Sequence, residues 1–269
     1  MPRGEAGQAT VEWSALVLVV ALALGALGYV GSRVDPVGLG RDIAHAIFCA
    51  ARGGCPDALE DAYGADLARF VRHYAPNIVY ERKSAELPVD FRRCRKVSCS
   101  NGPDAPRAVD HSHSGLPVTA FTHVADLRNK GGALFLQYWL YYPESFSGAV
   151  GRRLGPLSHL WPGFHEDDWE GYQVRVGPDG TVSARATAHG HYSNLKGSSG
   201  WGPLTKWYRV SGGSHAGHLV MRPSNERTTF ASALNLVPLE RLSGTGAYHF
   251  EIDPPWLKGV YREPDVAGS

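Results

Sequence analysis

The sequence has almost no net charge and lacks two common hydrolase motifs, and these absences argue against several classes of protein. Its 269 residues carry a formal charge of +1, so nothing indicates the basic face that nucleic-acid binding needs. The chain lacks the H-E-x-x-H motif of zinc proteases. It also lacks the G-x-S-x-G motif of serine hydrolases, which Gly212-Gly213-Ser214-His215-Ala216 misses at its last position. We therefore predict no nucleic-acid partner, and no nucleophilic hydrolase is indicated.

The four cysteines form two local pairs, Cys49 with Cys55 and Cys94 with Cys99, neither of which has C-x-x-C spacing. Two short-loop disulfides are expected if the domain lies outside the cytoplasm. A zinc site built from all four thiolates is the alternative. The connectivity stays open at this point, because four cysteines permit several pairings.

One long apolar run stands near the amino terminus. Trp13 to Ser32 contains no charged residue, and a helix of that length reaches about 30 Å, the thickness of a bilayer core. We expect a retained single-pass anchor in the cell membrane, with the C-terminal domain extracytoplasmic. Cleavage near Ala26-Leu27-Gly28 is the alternative.

The residues before this run carry a resemblance. The segment from Gly7 to Glu12, followed directly by apolar sequence, resembles the amino terminus of Flp/TadE-type pilins and pseudopilins. The resemblance implies that a prepilin peptidase cuts after Gly7 and that Glu12 stands at the fifth mature position. Pilus or secretion subunits would then be partners. An ordinary signal anchor is the alternative.

The pattern of the remaining chain predicts a mainly β protein, a β-sandwich preceded by a transmembrane helix and two short helices. Arg41 to Ala51 indicates the first short helix. The second carries apolar residues from Leu59 to Tyr74 and is capped by Asp57, and we expect both to pack as core or stalk. The predicted divisions are a leader over 1–12, an anchor over 13–32, a helical stalk or cap over 33–76, a β-sandwich over 77–262 and a tail over 263–269.

Short β-branched and aromatic segments between turns indicate the strands. The predicted strands are Asn77 to Lys83, Pro117 to Leu127, Ala133 to Tyr142, Tyr172 to Val176, Thr181 to Ala188, Trp207 to Val210, His218 to Met221 and Tyr248 to Ile252. Ala133 to Tyr142 is nearly all apolar or aromatic, as in a strand buried on both faces. Gly177-Pro178-Asp179-Gly180 predicts a tight hairpin turn.

The densest group of chemically active residues is His165-Glu166-Asp167-Asp168-Trp169-Glu170. If the following strand already runs at Asp168, then Asp168 and Glu170 share one face and Trp169 points the other way. His165 would lie in the preceding turn and fold back over the carboxylates. One imidazole with carboxylate oxygens favours magnesium or calcium over zinc as the divalent cation. A solvated acidic loop is the alternative.

Two histidine-containing segments are candidates for the same neighbourhood. His189 and His191 end the strand that should pair with the acidic strand, so His189 could approach Asp168. Ser214 and His215 lie in a glycine-rich turn that is a candidate ligand loop. Glu144 closes the aromatic strand and is a further candidate cation ligand.

Several motifs, in order, are similar to those of the necrosis- and ethylene-inducing-peptide-like proteins and a related vacuolar-sorting-type family with a D-W-E strand. Asp168-Trp169-Glu170 with His165 ahead resembles the G-H-R-H-D-W-E signature, and Ala188 to Ser193 resembles S-A-H-G-G-Y-S. Leu140 to Glu144 resembles the strand ending W-Y-x-P-K-D. Tyr74-Ala75-Pro76 and Gly213-Ser214-His215-Ala216 match the second family. The resemblance spans about residues 74 to 219.

The resemblance implies a β-sandwich with one divalent cation at an exposed end, held by His165, Asp168, Glu170 and His189. In toxin-like members that site binds sphingolipid sugar headgroups. This chain departs from the pattern at Glu166 and Asp167, which replace an arginine and a histidine, and at Ser145, which replaces an acid beside Glu144. The cation site is expected to survive these changes better than toxin activity, and Asp167 and His191 are candidate ligand contacts.

One function is therefore expected, and two others are its alternatives. The first is an anchored binding module whose cation presents a site for a glycan or lipid headgroup. The second is a metal-assisted hydrolase of cell-envelope material, in which a bound water is the nucleophile. The third is a minor pilus-associated structural subunit. No catalytic residue is assigned, since no separate nucleophile or general base stands out.

Overall fold

The computed structural model describes residues 57–81, 86–103, 107–146, 163–187, 200–221, 225–242 and 248–264. The chain divides into the units Met1–Pro56 and Asp57–Ser269, and all described residues belong to the second. The predicted leader, anchor and first helix lie outside the described residues, as do Cys49 and Cys55. Within the described ranges, no helix has the length and apolar character that crossing a membrane requires.

The described domain is mainly β, with two sheets and few helices, in agreement with a β-sandwich. The elements in chain order are α1 (Ala58–Tyr74), β1 (Asn77–Glu81), α2 (Val97–Ser100), β2 (Thr119–Asp126), β3 (Leu134–Phe146), β4 (Phe164–Val176), β5 (Val182–Ala186), β6 (Gly202–Pro203), β7 (Trp207–Val210), β8 (Gly217–His218), β9 (Asn225–Thr229), β10 (Asn235–Pro238) and α3 (Gly259–Arg262). One sheet has the order β8-β7-β1-β9, and the other has the order β10-β2-β3-β4-β5-β6.

Strands β3 and β4 form the centre of the six-stranded sheet. They pair antiparallel from Leu134 opposite Val176 to Phe146 opposite Phe164, so each is 13 residues long. Strand β3 is buried along almost its whole length, as its continuous apolar pattern predicts. The turn after β4 leads into β5, which confirms the predicted hairpin.

Each face of this sheet carries its own core. Tyr138, Tyr142 and Tyr172 belong to a cluster that also contains Ile78 and Tyr208 of the four-stranded sheet. The opposite face belongs to an aromatic cluster of Phe91, Phe121, Trp139, Tyr141 and Trp169. The alternation of side chains along a strand produces this division, because neighbouring residues point to opposite faces.

Helix α1 begins and breaks where the sequence permits it. The Asp57 side chain caps it by accepting a hydrogen bond from the Leu59 N–H at 2.9 Å, which confirms the predicted start. Gly64 has non-helical angles, φ 78° and ψ 161°. Arg72 then pairs with Asp57, a contact that a straight helix could not make across 15 residues, because it would hold them about 22 Å apart. The helix therefore folds back at Gly64 and packs through Ala68 and Val71 into the core.

Several strands differ from the prediction. Strand β3 continues to Phe146 beyond the predicted Tyr142, and β8 covers Gly217–His218 where the sequence predicts His218 to Met221. Strand β4 begins at Phe164, so His165 lies inside it and not in a preceding turn. Tyr248 to Ile252 forms no strand, because its aromatic rings pack side-on against Phe91 and Trp169 instead of joining a sheet edge. The apolar alternation of this segment therefore comes from covering a face of the sheet.

The Cys94–Cys99 disulfide is formed, as expected for a local pair, and its Cα atoms lie 6.0 Å apart. It closes the turn next to Phe91, which packs on Trp169 of the acidic strand with ring centroids 5.6 Å apart.

Candidate functional site

Strand β4 places Asp168 and Glu170 on one face and Trp169 on the other, as the period of two predicts. Asp168 lies directly opposite Tyr142 of β3, and Glu170 lies opposite Leu140. Both acids are at least 95% buried, at 5% and 1% exposure. Burying a carboxylate costs free energy unless hydrogen bonds or cations compensate it, so these two acids require partners on this face.

His215 is the partner of Asp168. Its ring Nδ1 lies 3.0 Å from Asp168 Oδ2 and donates a hydrogen bond to the carboxylate. The imidazole stacks on the Tyr142 ring, with centroids 3.9 Å apart and an angle of 2° between the planes. Its backbone is left-handed, with φ 52°, in the turn between β7 and β8. His215 is fully buried, so it orients Asp168 and has no direct access to solvent.

Glu86 lies on the far side of this histidine. Its Oε2 is 3.8 Å from His215 Nε2, and the Glu86 side chain is also buried. His165 stands at the other end of the group, with its Nε2 3.9 Å from Asp168 Oδ1. The four side chains thus form a continuous row, in the order His165, Asp168, His215 and Glu86. The His165 side chain, 27% exposed, is the end of the row that solvent reaches.

Glu170 is fixed in a similar way to Asp168. The Thr187 hydroxyl donates a hydrogen bond to Glu170 Oε2 and accepts one from the Gly171 N–H at 2.5 Å. One oxygen of each carboxylate is therefore held by a neighbour. Outer groups that hydrogen-bond a metal-binding side chain orient it in this manner.

An imidazole nitrogen and carboxylate oxygens are donor types that divalent cations bind. Two ligands of one ion, bonded at about 2.1–2.5 Å, lie roughly 3 to 4 Å from each other. The 3.9 Å between His165 Nε2 and Asp168 Oδ1 falls in that range and exceeds a hydrogen bond. Among the side chains described, no group of three or more His, Cys, Asp or Glu is arranged to hold a metal ion.

Burial and charge shift two pKa values around the carboxylates. Burial raises the pKa of Tyr142 well above its usual value, and the nearby tyrosines and the carboxylates of Asp168 and Glu170 raise it further. The Tyr142 hydroxyl therefore stays protonated, and within the described ranges it has no hydrogen-bond partner. Burial lowers the pKa of Lys258, although Glu170, Asp168 and Asp253 oppose that shift. The Lys258 ammonium is thus close enough to Asp168 and Glu170 to interact electrostatically with both.

The other predicted site residues lie in different surroundings. Asp167 has a left-handed backbone and turns to the opposite face, where it pairs with Arg95 at 2.6 Å and accepts a hydrogen bond from Tyr141 at 2.6 Å. Glu144 lies on the face of Asp168, directly opposite Glu166. Ser214 is half-buried beside His215. His189 and His191 lie outside the described residues.

Glu86 and Thr187 are site residues that the sequence patterns did not predict. Glu86 is a single acid ahead of the apolar residues Leu87, Pro88 and Val89, and that isolated charge is the one signal in the sequence. Thr187 precedes the predicted H-x-H segment, and only the pairing of β4 with β5 shows that it reaches Glu170.

The comparisons with known proteins give one distant structural match. No family model and no curated protein matches the chain. A crystal structure of the non-toxic HaNLP3 protein is similar at a TM-score of 0.33 and 12% identity, over 66% of this chain and 77% of that chain. HaNLP3 is a necrosis- and ethylene-inducing-peptide protein. At this level of similarity the match does not assign the chain to that family.

Proposed function

We propose that this domain is a binding module whose divalent cation, magnesium or calcium, is held by His165, Asp168 and Glu170. Water and the hydroxyl groups of a bound ligand complete the coordination, as is usual for these ions. The ligand class is a glycan or the headgroup of a lipid. The domain acts outside the cytoplasm, tethered by the Trp13 to Ser32 segment.

The arrangement of Asp168 carries this proposal. Its Oδ2 accepts a hydrogen bond from His215, while its Oδ1 lies 3.9 Å from His165 Nε2. This separation is too long for a direct hydrogen bond and fits two ligands of a shared ion. A cation there would also offset the repulsion between Asp168 and the nearby Glu170, which are both nearly buried.

Calorimetric titration of the full chain with CaCl₂ and with MgCl₂ tests the proposal. We expect saturable binding of about one ion per chain, and a loss of at least about tenfold in affinity for Asp168→Asn. Asp66→Asn is the matched control, because that carboxylate is 85% exposed and pairs only with Arg69 in the described structure. The control should bind like the wild type. An absence of binding by the folded wild-type chain would refute the cation site.

A second measurement addresses the ligand. Vesicles that contain glycosylated sphingolipid should retain the full chain with cation present and release it when EDTA is added. The domain can be presented in the aqueous phase by reconstituting the anchor in separate nanodiscs. Retention that does not change with EDTA would contradict a role for the cation in ligand binding, even if the ion itself binds.

A further inference from the structure

A concave site lies away from the carboxylates. It is a cleft of about 660 Å³ between α1, the residue before β7, and the segment from Ala231 to Leu236. It shares no residue with the row from His165 to Glu86. Its volume is in the range of small-molecule sites.

The polar lining of this cleft includes three basic side chains. Arg72, His73 and Lys206 line it, and the lining acid is Asp57. Arg72 pairs with Asp57 and, at 3.5 Å, with Glu60, so these two acids balance its charge. The Lys206 ammonium makes no ion pair or side-chain hydrogen bond to the rest of the described structure. Lys206 therefore supplies the positive charge that the cleft offers to a ligand.

The backbone at Lys206 is held in an unusual state. Lys206 has φ 57°, a left-handed conformation that non-glycine residues rarely adopt. Asn77 fixes it: its N–H donates to the Lys206 carbonyl at 2.8 Å, and its Oδ1 accepts from the Ala231 N–H at 3.0 Å. One residue thus holds two walls of the cleft. Such locally strained residues cluster at ligand sites.

The remainder of the lining is apolar. Leu59, Leu234 and Leu236 contribute aliphatic surface. Trp207, at 36% exposure, follows Lys206 in the chain, and Phe230, at 48%, precedes Ala231, but neither side chain belongs to the lining.

We propose that this cleft binds a small organic anion, with its charged group at Lys206 and its apolar body against the leucines. The Lys206 ammonium favours an anionic ligand. The aliphatic lining favours an anion with a hydrophobic body over a bare inorganic ion. This site is separate from the cation site and does not depend on it.

Phenylphosphonate is a suitable probe, since it combines a dianionic head with an apolar ring. Saturation-transfer NMR and calorimetry with the full chain should show binding of one phenylphosphonate, and inorganic phosphate or benzyl alcohol alone should bind at least about tenfold more weakly. Lys206→Gln should weaken phenylphosphonate binding about fivefold or more. Lys130→Gln, which removes an exposed lysine from the turn after β2, should not change it.

A steric pair of variants guards against misfolding of the Lys206 variant. Ser232→Trp fills the cleft and should abolish binding, whereas Ala233→Trp, one residue further on and outside the lining, should retain it. Thermal unfolding establishes that each variant is folded. The proposal is overturned if the wild type does not bind phenylphosphonate, or if the paired variants bind it equally.

Discussion

The residue that organises the carboxylate site is His215. It touches Tyr142 through its ring face and Asp168 through Nδ1, and its Nε2 faces Glu86. An imidazole that is fully buried between two acids stabilises the fold only if its contacts contribute more free energy than its desolvation costs. His215 should therefore contribute strongly to stability.

We predict that His215→Ala lowers the free energy of unfolding by about 2 to 4 kcal/mol, because it leaves a cavity beside Tyr142 and a buried carboxylate without its donor. Chemical denaturation of the full chain measures this. His113→Ala removes an exposed ring and should cost less than about 0.5 kcal/mol. Equal effects of the two substitutions would show that His215 is not a structural centre.

At this scale the sequence predicts what is local. The shared face of Asp168 and Glu170 follows from alternation along one strand, and the structure confirms it. The contact of His215 with Asp168 spans 47 residues, and that of Glu86 with His215 spans more than a hundred. Neither contact can be read from spacing, because both depend on which strands and turns the fold brings together.

At the scale of elements, strand β4 requires a glycine at position 171, between Glu170 and Tyr172. A Cβ atom at Gly171 would lie 2.9 Å from Cζ3 and 3.0 Å from Cε3 of Trp139. Trp139 is opposite Gly171 in β3, is buried, and donates from Nε1 to Gln137. The ring therefore has little room to move.

We predict that Gly171→Ala destabilises the fold by about 1 to 3 kcal/mol through overpacking against Trp139. Gly259→Ala is the matched control, because a Cβ there meets no atom within 4 Å. It should change stability by less than about 0.5 kcal/mol. Thermal or denaturant unfolding of both variants measures the difference, and a neutral Gly171→Ala would mean that the strand pair is looser than the structure indicates.

A polar cluster around Glu240 joins three elements. Its carboxylate accepts a hydrogen bond from Tyr63 of α1 at 2.6 Å and contacts His123 of β2, whose ring stacks on Tyr261 of α3. Burial alone would raise the pKa of Glu240, but the hydrogen bonds from His123 and Tyr63 outweigh it and hold the pKa below its usual value. The ionised form therefore stabilises the folded state.

This shift has a defined pH dependence. A carboxyl with a lowered folded-state pKa contributes stability above its unfolded pKa and loses it as the pH falls through the folded pKa. We predict that Glu240→Gln costs about 1 kcal/mol at pH 7, a value discounted for partial exposure, and that the difference disappears towards pH 3. Unfolding curves between pH 7 and 3 measure it. Glu263→Gln, an exposed control, should follow the wild type throughout, and a difference that persisted at pH 3 would contradict the linkage.

The sequence predicts elements best where one pattern dominates. The capped start of α1 and the buried strand β3 follow from local signals. The segment from Tyr248 to Ile252 carries the alternation of a strand but covers a sheet face, because the aromatic rings of Phe91 and Trp169 offer it more apolar contact than an edge would. Tertiary packing overrode the strand pattern there.

At the scale of the whole molecule, the predicted export route depends on Gly7, Glu12 and the apolar run after them, all outside the described residues. We predict that the chain fractionates with membranes and that its mature amino terminus is Gln8. Amino-terminal sequencing measures this, and an intact Met1 or a new terminus near Leu27 would contradict processing after Gly7.

The most direct test of the cation site is anomalous diffraction from crystals of the full chain soaked in MnCl₂, since manganese replaces magnesium or calcium and scatters anomalously. The account predicts one strong peak bonded to both His165 Nε2 and Asp168 Oδ1, with the Glu170 carboxylate turned towards it. The account would be contradicted if manganese bound only elsewhere in the chain, or if the soaked crystals gave no anomalous peak between these side chains.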